Sequence, residues 1–385
     1  MRILIIDHSG KSGMYSYTDA LCNGLCKIGE DVTVLTSTAW PDCKRPYKVE
    51  RLFSELNREQ GSFTRLHWAM DRLLRSMTNI SRRNKYALAN EFDIVHIMGA
   101  GLPLLDQYFL KPLAKKKPVV LTVHDVMSHY ERFVSKDSFM RKNLKIPHRL
   151  IVHFEKAKEI LIQQWKIDSD KIDVIPHGII PVQNKYALSE ARQKLELPGN
   201  KKILLFFGSI RPNKGLDVLL KSMQEAVKNN PDILLVIAGA LPRDMSFQPY
   251  HDLIEKMNLN EYVKTFIEFI PDEKVDLFFA ASDLVVLPYK NFESQSGVLL
   301  RAYAHKKTVV VSDVGAMGEI VGEDKIGEIV EPGNEKSLAL AINEALEKLD
   351  VYQSRYNTEL ENKYNWEQIG KLTLQYYEKA ISQKK

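Results

Sequence analysis

Residues 202–240, KILLFFGSIRPNKGLDVLLKSMQEAVKNNPDILLVIAGA, decide the fold class of this chain. Two short apolar runs, at residues 203–207 and 233–238, have the length of buried strands. An amphipathic segment with helical spacing begins at Leu216 and separates them. Strands that alternate with helices predict a parallel sheet wound on both faces.

The same pattern of strand, loop and helix recurs on both sides of this stretch. The chain has 385 residues, which is long for a single hydrophobic core. We predict an α/β protein with two Rossmann-like, doubly wound domains, residues 1–180 and 181–367, and a C-terminal helix over residues 368–385. The runs that predict strands are RILIID, DVTVLT, DIVHIM, PVVLTVH, RLIVHF and IDVIPHGI in the first half, and KILLFFGSI, DILLVIAGA, VKTFIEFI, DLVVLPY, TVVVSDV and GEIVEP in the second.

Composition is that of an ordinary globular protein. Hydrophobic residues make up 44% of the chain and charged residues 27%, so we expect a large core and no bulk disorder. No run of eighteen apolar residues occurs, and the opening MRILIIDHSG does not resemble a signal peptide, so we expect a cytoplasmic protein. Cys22, Cys26 and Cys43 are odd in number and predict no disulfide framework or metal site.

Three short motifs for nucleotide or metal binding fail on inspection. Gly10-Lys11-Ser12 resembles the end of a P-loop, but Ile5 stands where that motif needs its first glycine. The first loop lacks GxGxxG, and the second strand ends in Thr36 and Ser37 in place of a ribose-binding acid, which disfavours a nicotinamide cofactor. Asp168-Ser169-Asp170 matches a metal-binding DxD but falls in a predicted turn, where Asp and Ser are common. We therefore expect no metal site.

The loop FGSIRPNKG at residues 207–215 carries two cations. Arg211 and Lys214 lie between an apolar strand and the start of a predicted helix. This arrangement suits a diphosphate, because the helix dipole, free backbone N–H groups and charge-assisted hydrogen bonds all favour an anion. Solvated loop charges would give the same sequence, so the loop alone leaves both interpretations open.

The stretch from Phe292 to Glu319 contains the second candidate loop. Glu293 is followed by Ser-Gln-Ser, by Gly297 and by a predicted helix. Such a loop forms a nest of backbone donors for phosphate and sugar hydroxyls, although an ordinary helix N-cap has the same composition. Its combination with the loop at residues 207–215 favours ligand binding.

Taken together, these motifs resemble those of the family 4 glycosyltransferases, which are retaining enzymes of the GT-B fold. The resemblance covers nearly the whole chain. It implies two Rossmann-like domains that face a central cleft, an N-terminal domain for the acceptor, a C-terminal domain for the nucleotide sugar and a last helix that packs back on the first domain. The matching positions, in the family's order, are Gly13, Thr122-Val123-His124, Val174-Ile175-Pro176-His177-Gly178, Arg211 with Lys214, Pro271-Asp272-Glu273 and the Glu-x7-Glu region that begins at Glu293.

The resemblance also implies an activity and its residues. A hexose would pass from a UDP- or GDP-sugar to a saccharide or lipid-linked saccharide, in polysaccharide or glycolipid biosynthesis, without a metal or a tightly bound cofactor. Fixed cations would stabilise the leaving diphosphate, and the acceptor would attack from the front face. The implied catalytic residues are His124, Arg211, Lys214 and Glu293. The implied donor-binding residues are Gly13, Gly208, Arg211, Lys214, Ile270, Glu293, Ser296, Gly297, Val298 and Arg301.

Two positions depart from the family pattern. Arg301 occupies the second position of Glu-x7-Glu, where the family places a carboxylate on the ribose hydroxyls, and a guanidinium donates but never accepts. Ser209 replaces a common arginine, for which Arg211 is close enough to substitute. The alternative is therefore a catalytically impaired paralogue that acts as a binding or scaffold protein. A sugar-nucleotide epimerase on this architecture would need more acids and histidines in the cleft.

Residues 51–88 carry eight Arg or Lys and three acids, a surplus equal to the net charge of +5 of the whole chain. Apolar residues recur there at helical spacing, and arginines follow neighbouring rows, which predicts a basic amphipathic helix. We favour peripheral contact with an anionic membrane, on the inner face of the plasma membrane, over a core-facing helix with a solvated arginine face. Nucleic acid is disfavoured, because no recognised module or stacking pattern accompanies the charge. The apolar positions are Phe63, Leu66, Met70, Leu73, Leu74 and Met77, and the arginines are Arg58, Arg65, Arg72, Arg75 and Arg82.

Overall fold

The computed structural model describes residues 1–55, 65–99, 103–124 and 137–384. The chain divides into two compact units, of which the first comprises Met1–Gly178 and Lys363–Lys385 and the second comprises Ile179–Asn362. Each unit is built on one sheet in which all described strand pairs are parallel. The predicted α/β class with two parallel sheets is confirmed.

The sheet of the first unit has seven strands in the order β3-β2-β1-β4-β5-β6-β7. The strands are β1 (Arg2–Ile6), β2 (Asp31–Ser37), β3 (Lys48–Phe53), β4 (Ile94–Met98), β5 (Val119–Thr122), β6 (Arg149–Val152) and β7 (Ile172–Val174). The inner strands β4, β5 and β6 are buried along their whole length, which is why they appear in the sequence as mainly apolar runs, with His96 and Arg149 as buried polar exceptions. The edge strand β3 buries only Phe53 fully, so its sequence KVERLF contains no such run and does not predict a strand.

Helices follow the strands of the first unit. They are α1 (Ser12–Lys27), α2 (Arg65–Ala89), α3 (Pro103–Lys116), α4 (Asp137–Lys145) and α5 (Glu155–Gln163), with a 3-10 turn at Ser169–Lys171. The Asp-Ser-Asp motif coincides with this turn. No helix in the described ranges is long and apolar enough to cross a membrane.

The second unit has a six-stranded sheet in the order β10-β9-β8-β11-β12-β13. Its strands are β8 (Lys202–Phe207), β9 (Ile233–Ala238), β10 (Val263–Phe266), β11 (Leu284–Leu287), β12 (Thr308–Ser312) and β13 (Gly327–Val330). Its helices are α6 (Leu188–Lys194), α7 (Leu216–Asn229), α8 (Gln248–Lys256), α9 (Asp272–Ala281), α10 (Gly297–Ala304), α11 (Met317–Asp324), α12 (Glu335–Glu347), α13 (Leu349–Gln353) and α14 (Thr358–Lys363), with 3-10 turns at Pro212–Lys214 and Asn260–Tyr262.

The last helix, α15 (Trp366–Lys384), belongs to the first unit. A Cβ at Gly24 of α1 would lie 2.2 Å from the Trp366 carbonyl oxygen, so only glycine permits this approach. The Trp366 ring likewise occupies the space that a Cβ at Gly178 would need. Farther along, the Tyr377 hydroxyl bonds Nδ1 of the buried His96 at 2.6 Å. The final segment is thereby fixed in the core of the first unit.

The strand order determines where each unit binds ligands. In a doubly wound sheet the connections change direction at one point, and ligands bind beyond the carboxyl ends of the strands there. That point lies between β1 and β4 in the first unit and between β8 and β11 in the second. The loops after these four strands are the ones to examine.

Candidate functional site

The cation loop of the second unit, residues 208–215, is held against the end of β11 by its backbone. Gly215 has φ +70°, and a Cβ there would lie 1.9 Å from the Pro288 carbonyl oxygen. The Lys290 N–H donates to the Asn213 carbonyl at 2.9 Å. The loop therefore needs glycine at 215 and is fixed to the segment after β11.

Lys214 is enclosed by aromatic rings. Its Nζ lies 3.6 Å from the ring centroid of Tyr289 and 4.1 Å from that of Phe292. Desolvation, followed by repulsion from Arg211, lowers the pKa of Lys214 to about 8. In the described residues no carboxylate forms an ion pair with it, so cation–π attraction is what holds the ammonium in position. The sequence places Lys214 in the right loop, but it does not reveal this aromatic enclosure.

Arg211 differs from Lys214 in its exposure. It is the residue before the 3-10 turn, its side chain is exposed, and its Nε donates to Ser209 Oγ at 3.2 Å. Ser209 therefore orients Arg211, the residue predicted from the sequence to substitute for an arginine at position 209. The loop presents one enclosed cation and one exposed cation.

The second candidate loop, residues 292–297, leads into α10. Ser296 is buried and caps the helix, since its Oγ accepts from the Leu299 N–H at 3.4 Å. The buried Tyr289 hydroxyl lies 3.4 Å from the same oxygen. Glu293 and Gly297 are exposed, and Val298 is partly buried. Because Tyr289 contacts both Ser296 and Lys214, the structure joins the two loops that the sequence identified separately.

Gly208 and Ile270 frame the same edge of the sheet. A Cβ at Gly208 would lie 3.4 Å from Cγ2 of Val298, so the backbone after β8 packs beside the start of α10. Ile270 is buried ahead of α9, whereas its neighbour Phe269 is 76% exposed. Nine predicted donor residues belong to this unit. Seven of them lie in the loops after β8 and β11 or in the first residues of α10, namely Gly208, Arg211, Lys214, Glu293, Ser296, Gly297 and Val298.

Arg301, at the departure from the family pattern, is directed at Asp276 of α9. The Arg301 NH1 to Asp276 Oδ1 distance is 3.5 Å. The fully buried Asp276 also accepts from the backbone N–H groups of Gln183 and Asn184 and from His305, each at 2.9 Å. Desolvation opposes the charge of Asp276, but these hydrogen bonds outweigh it and lower its pKa. Asp276 and its ring of donors are a feature that the sequence analysis did not predict.

In the first unit, the loop after β1 is organised by a buried carboxylate. Oδ1 of Asp7 accepts from the N–H groups of Ser9 and Gly10 at 2.9 and 3.0 Å, and Oδ2 accepts from the Thr18 hydroxyl at 3.1 Å. Gly13 lies in the first turn of α1, not in the loop itself, and a Cβ there would meet nothing within 4 Å. The fold of the first unit therefore does not itself require glycine at position 13.

His124 follows β5 in the first unit. Its Nδ1 lies 3.1 Å from Nε2 of His153, and its Nε2 is buried without a hydrogen-bond partner among the described residues. The Tyr17 ring packs edge-on against His124 with centroids 4.8 Å apart. Desolvation lowers the pKa of His124 well below its usual value. Burial therefore favours the neutral form of the His124 imidazole.

The basic segment includes α2, whose buried face is partly polar and whose exposed face is partly apolar. Its buried face includes the polar residues Ser76, Asn79 and Arg83. Arg83 pairs with Asp106 at 2.8 Å. An exposed apolar stripe is formed by Met70, Leu73, Leu74 and Met77, which are 37–61% exposed. The core-facing interpretation of these four residues is therefore wrong. Arg58 and Phe63 lie outside the described residues, as do the side chains of Arg65 and Leu66.

Among the described residues, one group of three candidate metal ligands has its ligand atoms within 4.8 Å of one another. It consists of His251, Asp252 and Glu255, all exposed on α8. None of them belongs to the loops after β8 and β11. These three residues are therefore separate from the cation loop and from the candidate histidines of the first unit.

Two protein-family models match the chain. The model described as "Glycosyltransferase Family 4" matches residues 11–182. The model described as "Glycosyl transferases group 1" matches residues 189–360. Together the two matches span most of both units.

Proteins similar to this one match nearly the whole length of the chain. The phosphatidyl-myo-inositol mannosyltransferase of Mycobacterium leprae is 26% identical over 95% of this chain and 92% of its own. The structure of a sucrose-phosphate synthase from Thermosynechococcus elongatus superposes with a TM-score of 0.75 at 19% identity, covering 99% of each chain. Anabaena Alr3699/HepE in complex with UDP has a TM-score of 0.71 at 18% identity, covering 98% of this chain and 100% of its own. At these identities the structural similarity establishes the fold.

Proposed function

We propose that this chain, which belongs to glycosyltransferase family 4 and has the GT-B fold, is a retaining enzyme that transfers a sugar from a nucleoside diphosphate sugar to a saccharide or lipid-linked saccharide. The observation that carries the proposal is Lys214, an ammonium held between two rings at the ligand-binding edge of the sheet, with no carboxylate paired to it among the described residues. A partly desolvated cation attracts a phosphate more strongly than a solvated one.

The proposed catalysis rests on charge at the leaving group. As the glycosidic bond breaks, negative charge develops on the diphosphate, and Lys214 and Arg211 stabilise it where it forms. Lys214 is prepositioned, and Arg211 is exposed and able to approach the bound nucleotide. These two cations supply the charge that a divalent ion supplies in other transferases, so we propose a metal-independent reaction. The acceptor hydroxyl attacks from the face that the nucleotide leaves and gives its proton to the departing phosphate.

Further contacts are proposed for each unit by itself. Glu293 accepts hydrogen bonds from the hydroxyls of the donor sugar, and the N-terminus of α10 at Ser296, Gly297 and Val298 faces a phosphate. In the first unit, which we propose to bind the acceptor, His124 contacts a sugar hydroxyl. Alr3699/HepE is described in complexes with UDP and with UDP-glucose, so a uridine nucleotide is the first candidate to test.

The nucleotide is tested by thermal unfolding with UDP, GDP and TDP. We expect one of these nucleotides to raise the Tm of the unsubstituted protein. The same nucleotide should not raise the Tm of Lys214→Ala. Lys290→Ala is a matched control, because Lys290 lies on the neighbouring loop but is paired with Asp217 at 2.6 Å. Release of the same nucleotide from its sugar derivatives, with a saccharide acceptor, measures transfer, and the anomeric configuration of the product tests retention.

The catalytically impaired paralogue predicts a different set of results. It would bind a nucleotide or a protein partner but would release no nucleotide from any sugar donor. Turnover that requires added Mg²⁺ and disappears with EDTA would contradict the metal-independent proposal alone. A Tm that no nucleotide changes would contradict the whole assignment of the second unit.

We further propose that α2 contacts an anionic membrane. The exposed stripe Met70, Leu73, Leu74 and Met77 lies beside the partly buried Arg72 and the exposed Arg75, which pairs with Asp71 at 2.7 Å. Apolar groups and an exposed guanidinium therefore share one surface of the helix. An interfacial helix gains from burial of the apolar stripe and from attraction of its arginines to anionic headgroups. A lipid-linked acceptor would then lie at the surface where the enzyme binds.

Membrane contact is measured by co-sedimentation with phosphatidylglycerol–phosphatidylcholine vesicles and with pure phosphatidylcholine vesicles. We expect binding to the anionic vesicles, and a reduction by about tenfold or more in Leu74→Glu. Leu340→Glu is the control, because Leu340 on α12 is 65% exposed and Leu74 is 61% exposed. Equal losses in both variants, or equal binding to both vesicles, would contradict the proposed surface.

A further inference from the structure

Three histidines of the first unit gather at the carboxyl ends of neighbouring strands. His124 follows β5, His153 follows β6 and His177 follows β7. The Tyr17 ring contacts all three, with centroid distances of 4.8, 5.2 and 4.8 Å. Two of these imidazoles are hydrogen-bonded to each other, and the direction of that bond follows from their partners.

His153 has its proton fixed by a backbone carbonyl. Its Nδ1 lies 3.0 Å from the carbonyl oxygen of Ile175. A carbonyl oxygen only accepts, so Nδ1 of His153 must carry the hydrogen. Burial lowers the pKa of His153 to about 4, which keeps the ring neutral. Its Nε2 is therefore a lone-pair acceptor.

The tautomer of His124 follows from that of His153. Nε2 of His153 lies 3.1 Å from Nδ1 of His124. Because this nitrogen of His153 accepts, Nδ1 of His124 must donate and must carry the hydrogen. The lone pair of His124 then lies on Nε2, which is buried and receives no hydrogen bond from any residue in the described ranges.

The same bonds argue against a metal site. Both nitrogens of His153 are engaged, one with Ile175 and one with His124. His177 uses Nδ1 to donate to the Gly178 carbonyl at 2.8 Å. Within the part of the chain that the structure describes, these imidazoles do not appear among the groups whose ligand atoms converge. Instead, these hydrogen bonds determine which nitrogen of His153 and of His124 carries the hydrogen.

We propose that His153 is a positioning residue that holds His124 as the Nδ1–H tautomer, so that Nε2 of His124 accepts a hydrogen bond from a hydroxyl of a bound sugar. This inference rests on the proposed function. The chain of donors runs from the sugar hydroxyl to His124, from His124 to His153 and from His153 to the carbonyl of Ile175. A lone pair at Nε2 favours a hydroxyl and repels a carboxylate or phosphate, so a neutral hexose is the chemical class expected at this position.

The tautomer is measured by long-range ¹H–¹⁵N correlation spectra of the ¹⁵N-labelled protein without substrate. The His124 signals are assigned by their loss in His124→Gln. We expect Nδ1 to be protonated and Nε2 to be unprotonated in the unsubstituted protein. His153→Leu removes the acceptor, and we expect His124 to change to the Nε2–H tautomer, with kcat/KM for the sugar nucleotide lower by about tenfold.

His153→Gln is the conservative variant. The glutamine Oε1 occupies nearly the position of Nε2 and can accept from His124, so we expect the Nδ1–H tautomer and most of kcat/KM to be retained. A purely structural role would not distinguish these variants by the tautomer of His124. Binding of UDP, for which we propose the second unit, should be unchanged in both and serves as the control for folding.

The outcomes separate the two proposals. An Nε2–H tautomer of His124 in the unsubstituted protein, or an unchanged tautomer in His153→Leu, would overturn the positioning role. If His153→Leu does not fold, the unsubstituted protein and His153→Gln still decide the matter. Absence of turnover by the unsubstituted protein would instead contradict the proposed function, because the tautomer is measured without substrate.

Discussion

The loops after β1 and after β8 occupy the same topological position in the two units, but their charged residues differ. The loop after β1 carries both Asp7 and Lys11, whereas the loop after β8 carries only cations. After β1, the buried carboxylate of Asp7 takes the N–H groups of Ser9 and Gly10 for itself. After β8, the loop carries Lys214 and Arg211 and contains no acid. A loop whose donors are consumed by its own carboxylate is a poor anion site, whereas the second loop attracts one. The difference favours the second unit as the binding site of the proposed diphosphate.

The largest effect is expected from Lys214→Ala, which removes the enclosed cation. Loss of one preorganised group that stabilises a developing charge costs about 10²- to 10³-fold in kcat. Steady-state kinetics with the preferred sugar nucleotide measure the loss, and Lys290→Ala should stay within about threefold. Equal losses in the two variants would show that the enclosed Lys214 contributes no more than the paired Lys290. The loop after β8 would then have no special role as a cation site.

The pH dependence of nucleotide binding tests whether the charge of Lys214 holds the diphosphate. The pKa of Lys214 is lowered to about 8, and a bound diphosphate must raise it because the anion favours the charged form. UDP affinity should therefore be constant from pH 7 to 8 and should fall above pH 8 by up to about tenfold per pH unit, as the free protein loses the proton. Isothermal titration calorimetry measures this dependence.

Lys214→Arg is the control for the pH dependence. A guanidinium remains charged throughout this range, so the affinity of this variant should not fall between pH 8 and 9.5. A decline of the same steepness in Lys214→Arg would assign the titration to another group.

Replacing Gly215 and Gly13 by alanine tests whether the backbone of each unit requires glycine at these positions. Gly215→Ala places a Cβ against the Pro288 carbonyl at a positive φ, and we expect a loss of about 2 kcal/mol or more in the free energy of unfolding. Gly13→Ala meets open space in the first turn of α1, and we expect no loss and a gain of up to about 1 kcal/mol.

Chemical denaturation measures both stabilities, and kinetics with the sugar nucleotide complete the test. If Gly13 lies against the phosphates, Gly13→Ala lowers kcat/KM while the protein remains fully stable. Unchanged kinetics would remove Gly13 from the donor site and would leave the loop after β1 without a role in phosphate binding.

The sequence predicts the sheets well and the site only in part, for physical reasons. Buried parallel strands such as β9 and β11 are apolar on both faces, so each appears as an uninterrupted run. The strand β3 lies at an edge and is mostly exposed, which leaves no such signal. The cation loop could be located because it follows a strand and contains glycines and cations close together.

Other parts of the candidate site depend on contacts between distant positions. The rings around Lys214 come from residues 75 and 78 positions later in the chain, and His153 is 29 residues beyond His124. No local pattern relates such positions. The buried polar face of α2 was missed for a similar reason, because Asn79 exchanges hydrogen bonds with the backbone of Ser54 and Arg83 pairs with Asp106.

The smallest effect is expected from Arg301→Met. Asp276 keeps the donors of Gln183, Asn184 and His305 in this variant. The Arg301 to Asp276 distance of 3.5 Å is long for a hydrogen bond, so the loss in the free energy of unfolding should be about 1.5 kcal/mol or less. UDP affinity decides the other role of Arg301. If its guanidinium serves Asp276, the affinity changes by less than about threefold, whereas a donor to the nucleotide would cost about tenfold. A tenfold loss would extend the cationic site of the second unit from the loop after β8 to α10, and would widen the contrast with the first unit.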